Sequence, residues 1–258
     1  MWLLALLGSL LPALQIAPPD GGEGRVERRL ALMGTWLEIE VTAADREQAL
    51  VASERALDAL RAVEERLSTW TDASELARLN AWPVGEPFPL SPELAGDLAR
   101  VARLVQETDG AFDPAVGPLV RAWGLREGGR LPGATELSLA RAASGFGAFR
   151  LDGRSATRLV SGASLEEGGF GKGLGLDAAL RALRDAGARR AVLDLGGQVA
   201  VLGAGTAPAT LGLAHPADRD RTIAVLSVPG GSVATSGNSE RAIVVDGERR
   251  SHILDPRT

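Results

Sequence analysis

The sequence predicts a single α+β domain. Three observations predict it. Amphipathic helical stripes dominate the first half of the chain, short alternating strand-like segments crowd the last third, and no internal repeat or low-complexity linker divides the two. In chain order, the alternation of Leu37, Ile39 and Val41 with Glu38 and Glu40 predicts a strand over Leu32 to Val41. Arg46 to Leu67 is predicted helical, with Leu50, Leu57, Leu60, Val63 and Leu67 on one face and Glu47, Arg55, Asp58 and Glu65 on the other. A short helix is expected from Ser74 to Leu79. Ser91-Pro92 offers an N-cap followed by proline at the first helical position, and Asp109-Gly110 a stop. Ala111 to Gly133 is rich in Gly and Pro and reads as turns that also carry function. A short helix over Leu137 to Ala143 and broken strands over Leu151 to Leu165 follow. Gly173 to Ala186 is a helix ended by Gly187. Strands are expected at Ala191 to Leu195, Val199 to Leu202, Thr210 to Ala214, Thr222 to Val228 and Arg241 to Val245, with Asp246-Gly247 as a hairpin turn.

Composition bounds the function. With 258 residues, 45% hydrophobic and 24% charged, the chain has enough apolar content for a sizeable core. A net charge of −5 and the lack of a basic block argue against a nucleic-acid partner. There is no cysteine, which excludes disulfides, thiolate metal sites, a cysteine nucleophile and a lipoprotein anchor. Residues 1–14 form an apolar run too short to span a membrane comfortably; Gln15, Ile16 and the small residue Ala17 follow, before the breaker Pro18-Pro19-Asp20-Gly21-Gly22. This pattern resembles a signal peptide, with an uncleaved anchor or a mispredicted start as the alternatives. The expected organisation is a signal peptide over 1–17, a linker over 18–29 and one domain over 30–258. The expected location is periplasmic or otherwise extracytoplasmic, with peripheral or no membrane association.

Several segments have the residue types for chemistry. Gly171-Lys172-Gly173 precedes a predicted helix. Unpaired N–H groups at a helix start, together with the chain's one lysine, suit a phosphate; a tight structural turn is the alternative. The string is not a Walker A loop, because Gly173 stands where Ser or Thr would bind the metal. The Gly110 to Leu119 string fixes its backbone with Gly and Pro, so Asp113 sits in a defined place, either as a ligand or within a packed loop anchored by Phe112. Ser232 to Arg241 combines hydroxyls, an amide and an arginine that suit a phosphate or sugar, or cap a strand. His252, one of two histidines, lies between Ser251 and Asp255 as a candidate general base or a structural imidazole.

Taken together, these strings resemble the ApbE family, the FAD:protein FMN transferases. The resemblance runs, in order, through Met33-Gly34-Thr35; Ser68-Thr69-Trp70 with Ser74-Glu75-Leu76 and Leu79-Asn80; Gly110 to Leu119 with Trp123-Gly124; Gly168 to Asp177; Asp194 to Gly197; Val233 to Arg241; and His252 to Thr258. It implies an ApbE-like, T-fold-related α+β domain with mixed sheets and packed helices. It also implies Mg²⁺-dependent transfer of FMN from FAD to a Ser or Thr hydroxyl of a target protein, with release of AMP. By resemblance, FAD would be contacted by Met33, Trp70 (often Tyr in the family), Ala111, Phe112, Asp113, Glu166 (usually Asp), Lys172 and Ile253. Gly169 would offer a backbone carbonyl to Mg²⁺, and His252 would help deprotonate the acceptor hydroxyl. Family members usually continue beyond the string that ends here at Thr258, with an Asp and a Thr that supply metal ligands. The resemblance therefore also leads to the expectation of a C-terminally truncated domain. A non-catalytic FAD carrier and an FAD pyrophosphatase are the alternative functions.

Overall fold

The computed structural model describes residues 24–203, 208–237, 242–245 and 247–255. The expected signal peptide and the first part of the linker lie outside them. Residues 24–29 are not linker. They open strand β1 (Gly24–Leu32), which pairs along its whole length with β2 (Thr35–Ala43), Gly24 opposite Ala43 and Leu32 opposite Thr35. The arginines of β1 hid its strand character from the sequence, because they are held as ion-pair partners: Arg25 with Glu40 of β2, and Arg28, on the face of Val26 and Leu30, with Glu54 of the helix that follows. The two-residue turn between these strands is Met33-Gly34, both at positive φ (+49° and +69°), as a tight hairpin of this hand requires.

The β1–β2 hairpin is one side of a five-stranded antiparallel sheet, in the order β1-β2-β6-β7-β10, with β6 (Arg190–Leu195), β7 (Gln198–Leu202) and β10 (Gly231–Ala234). Leu37, Ile39 and Val41 are almost fully buried on one face, as their alternation predicts. That face is covered by α1 (Arg46–Leu67) and α6 (Gly171–Asp185), which pack on each other and on the sheet. Asp45 caps α1 by accepting from the Gln48 amide. The buried stripe of α1 is Ala49, Ala52, Ala56, Leu60, Val63 and Leu67, and Leu57. Leu50 is 39% exposed, contrary to expectation. It sits one position off the stripe, and the first turns use alanine where helix and sheet approach closely. On the other sheet face, Val192 and Val201 meet Ala209 and Val228, from a ribbon of β8 (Ala209–His215) and β9 (Asp218–Val228).

A second core gathers the lower turns of α1 with α2 (Glu75–Ala81), α3 (Pro92–Glu107) and a small sheet, β3-β5-β4 (Pro87–Pro89, Ser155–Arg158 and Phe149–Asp152). Ser91 caps α3 with Pro92 in its first turn, and the chain turns left-handed at Asp109 and Gly110. Within the Gly/Pro-rich stretch the structure forms a helix, α4 (Gly117–Ala122), which was not expected; Pro118 sits in its first turn, where a missing N–H costs nothing. It packs on α5 (Ala134–Ala142). A hairpin of β11 (Ala242–Val245) and β12 (Glu248–Ser251) precedes His252. Among the described residues no helix is long and apolar enough to cross a membrane.

Candidate active site

The first turn of α6 lies beside two hairpin turns of the large sheet. The helix starts after Phe170, whose side chain makes no capping hydrogen bond. The surroundings explain the glycines. A Cβ on Gly175 would come within 3.0 Å of Leu60 Cδ2 and 3.2 Å of Met33 Sδ, and one on Gly171 within 3.3 Å of Glu167. Met33, held in the left-handed region at the β1–β2 turn, thus lies against the helix start. The β6–β7 turn is equally constrained. Gly196 is at φ +58°, where a Cβ would strike Thr35 Oγ1 at 2.3 Å, and Asp194 Oδ1 accepts from the Gly197 amide at 2.8 Å. Lys172 Nζ donates to the Gly196 carbonyl at 3.3 Å, tying the helix start to this turn. Gln198 lies next to Gly173.

On the other side of the α6 start, the 3-10 turn Glu167–Gly169 meets the Gly110 to Leu119 string and the Thr69-Trp70 turn. Phe112 covers Gly169, where an added Cβ would be 3.1 Å from its ring. Asp113 spends both carboxylate oxygens on the backbone. Oδ1 accepts from Ala115 N at 2.8 Å and Oδ2 from Phe146 N at 2.7 Å, so it braces the loop that carries Ala111 and Phe112. The Glu166 amide donates to Pro114 O at 2.8 Å and the Gly117 amide to Ser164 O at 3.2 Å, so the two segments run side by side. Asn80 clamps Leu165 from behind, donating to its carbonyl at 2.9 Å and accepting from its amide at 2.8 Å.

Arg126 joins the parts together. Its guanidinium donates to Thr69 O at 2.7 Å, to Thr69 Oγ1 and to Glu166 Oε2 at 2.5 Å, and lies over the Trp70 ring, 4.7 Å from its centroid. Thr69 Oγ1 in turn donates to Glu167 Oε2. Trp70 remains 70% exposed, an aromatic face offered to solvent on a fixed base. Burial pushes the Glu166 carboxyl above its ordinary pKa, against the hydrogen bond and charge of Arg126, while neighbouring Glu167 adds to the rise.

The structure therefore gathers Met33, Phe112, Glu166, Gly169 and Lys172 around the α6 start, with Trp70 and Ala111–Asp113 on flanking loops. Ile253 has a different neighbourhood. Ile253 is half exposed and lines a cleft of about 370 Å³ with Leu119, Trp123, Leu137 and Leu254, while His252 Nδ1 is buried without a hydrogen-bond partner among the described residues. Of the Val233 to Arg241 segment, residues 238–241 lie outside the described residues, as do residues 256–258. Sequence reasoning missed Arg126, Glu167 and Gln198. Arg126 acts on residues 40 and 57 positions away, so no local spacing marks it; its place just after Trp123-Gly124 was the available signal.

Comparison with known proteins completes the picture. The model of the ApbE family matches residues 33–258. A FAD:protein FMN transferase of Vibrio cholerae is 29% identical over 268 residues, covering all of this chain and 78% of that protein. The crystal structure of the ApbE protein of Thermotoga maritima superposes with a TM-score of 0.81 at 27% identity, covering 91% of this chain and 77% of that one. The flavin transferase ApbE of Vibrio cholerae superposes with a TM-score of 0.77 at 28% identity and the same coverage. By sequence match and by fold, the chain belongs to the ApbE family.

Proposed function

We propose that this protein is a flavin transferase, a FAD:protein FMN transferase that moves FMN from FAD onto a Ser or Thr hydroxyl of a target protein and releases AMP. One observation carries the proposal: the α6 start, without a side-chain cap and with Lys172 in its first turn, lies between Met33 on one side and Phe112 and Trp70 on the other. Helix-start amides and an ammonium suit a pyrophosphate, and the exposed Trp70 with the partly buried Phe112 and Met33 suit flat rings. The relatives with this name support the reading.

In the reaction, the acceptor oxygen forms a bond to the phosphorus on the FMN side, and the bond from that phosphorus to the bridging oxygen breaks. AMP departs with that oxygen, and the hydroxyl proton passes to the His252 imidazole. Lys172 and the α6 amides hold the phosphates and stabilise the charge that builds on them. Arg126 keeps Trp70 and Glu166 in place, and Asp113 and Asn80 brace the loops on either side.

Mg²⁺, when bound, would neutralise phosphate charge and make the phosphorus easier to attack. The exposed Gly169 turn offers a hard carbonyl oxygen, although no cluster of three or more His, Asp or Glu forms among the described residues. This donor set fits an ion held largely by substrate phosphates and water. Chelation by EDTA is expected to abolish transfer. We further propose an extracytoplasmic location, motivated by the apolar leader; N-terminal sequencing of the mature protein should begin near Pro18, and an intact Met1 in the exported fraction would refute cleavage.

The central test mixes the protein with FAD, Mg²⁺ and a peptide bearing an acceptor Thr. Covalent flavin on the peptide with equimolar AMP is the expected result. AMP with free FMN would instead identify a pyrophosphatase, and bound FAD without AMP a carrier. If His252→Ala transfers at the wild-type rate, the assigned base is wrong.

A further inference from the structure

Behind the Trp70 loop is a second cleft, of about 330 Å³, whose walls include Arg121, Arg126 and Arg158 together with Thr69, Asn80 and Ser164. Its cations are unevenly matched. Arg126 is paired with Glu166. Arg121 reaches only neutral oxygens, donating to Ser164 Oγ at 2.7 Å and to Gly162 O at 2.5 Å. Arg158 donates to the Trp82 carbonyl, and its Nε is buried without a partner. Among the described residues neither Arg121 nor Arg158 forms an ion pair; the carboxylates lining the cleft are Asp72, which is exposed, and Glu166, which is ion-paired with Arg126 and feels the charge of Arg121 from farther off.

We propose that this cleft is a binding site for a phosphate monoester dianion, with Arg121 and Arg158 as its anchors. Two guanidinium groups facing a common space, that of Arg121 exposed and that of Arg158 partly buried, repel each other and are hydrogen-bonded only to carbonyls and a hydroxyl. A dianion between them removes that repulsion and accepts from planar forks that match its geometry. Burial, and after it the charge of Arg121, hold the Arg158 guanidinium below its ordinary pKa, which is the direction expected for a cation lacking a counter-charge. The Ser164 hydroxyl accepts from Arg121 and keeps its own proton to donate. The site is separate from the phosphate cradle at Lys172, and the inference stands on its own whether or not the protein transfers flavin. It does share Arg126 and Glu166 with the flavin site, so an occupant would bear on the base that holds Trp70.

The test is calorimetric titration of the full chain with inorganic phosphate and, separately, with AMP, both without FAD. Saturable binding of at least one of them is expected in the wild type and in Lys172→Ala. It is expected to weaken by about tenfold or more in Arg158→Gln and in Arg121→Gln, since each loses charged hydrogen bonds. Arg158→Lys and Arg121→Lys keep the charge if the glutamine variants do not fold, and should weaken binding less. A Tm that rises with phosphate in the wild type and in Lys172→Ala, but not in Arg158→Gln, gives a second readout. AMP binding tighter than phosphate, with the same variant pattern, names a nucleotide as the source; equal affinities name free phosphate. Binding lost in Lys172→Ala but retained in both arginine variants would overturn the assignment, as would no binding of either probe by the wild type.

Discussion

The two halves of the molecule are held together by different means. In the half built from the large sheet with α1 and α6, the strongest feature is an unbroken apolar core, where Leu37, Leu60, Leu176, Leu183 and Leu193 are almost completely buried. In the half around Glu166, loops dominate, and single polar side chains fix them across long stretches of sequence. Asn80 clamps Leu165, Asp113 joins Ala115 to Phe146, and Arg126 joins Thr69 to Glu166. The difference teaches where stability and function separate. The sheet half provides a stiff frame, and the α6 start at its edge inherits that stiffness. The loop half provides the variable walls of the site, and their positions depend on a few directional bonds whose loss an apolar core cannot offset.

That contrast can be broken experimentally, beginning with the largest effect. Leu60→Ala removes a fully buried side chain between helix and sheet and should cost about 2–5 kcal/mol in urea unfolding. It should leave FAD affinity in the surviving folded fraction nearly unchanged. Loss of flavin binding in proportion to stability would mean the frame and the site are not separable. Asn80→Ala strands the Leu165 amide and carbonyl and should cost about 2 kcal/mol. Here FAD affinity should fall as well, because Glu166 follows directly.

Lys172→Ala tests the other extreme. It should weaken FAD binding by about tenfold through the lost charge, while changing stability by no more than about 0.5 kcal/mol, as for most surface substitutions. A large loss of stability without loss of binding would make Lys172 a structural brace to the Gly196 turn. The smallest effect is in pH dependence. Because burial raises the Glu166 pKa in the folded state, its contribution to stability is complete below the unfolded value, about 4.3, and declines as pH rises through the folded value. Glu166→Gln should therefore flatten the stability–pH profile just above about pH 4. An unchanged slope would show that Glu166 is not desolvated as the structure indicates. Glu40, raised chiefly by burial as well, contributes in the same direction and should persist in the variant.

The same contrast explains what could be read from the sequence. The frame was legible because burial imposes a period. The spacing along α1 and the alternation along β2 state their own structure, and Ser91-Pro92 and Asp109-Gly110 mark both ends of α3. Where polar partners override that period the sequence is silent: the first half of β1 reads as linker because its arginines are held in ion pairs, and α4 hides among turn residues. In the site, Lys172, Gly169 and Phe112 stood out through glycine spacing or rarity. Arg126 did not, because an arginine that bonds to residues far along the chain leaves no local trace. Asp113 was noticed as a FAD contact, and its carboxylate turns out to hold the loop's own backbone. His252 stands out by its rarity, but where its ring lies depends on how β11 and β12 return, which no local pattern specifies.

The most direct test is calorimetric titration of the wild-type protein with FAD. Saturable binding of one FAD per chain, through the α6 start, is the expected result. An absence of any heat of binding, even at a large excess of FAD over a correctly folded protein, would contradict it.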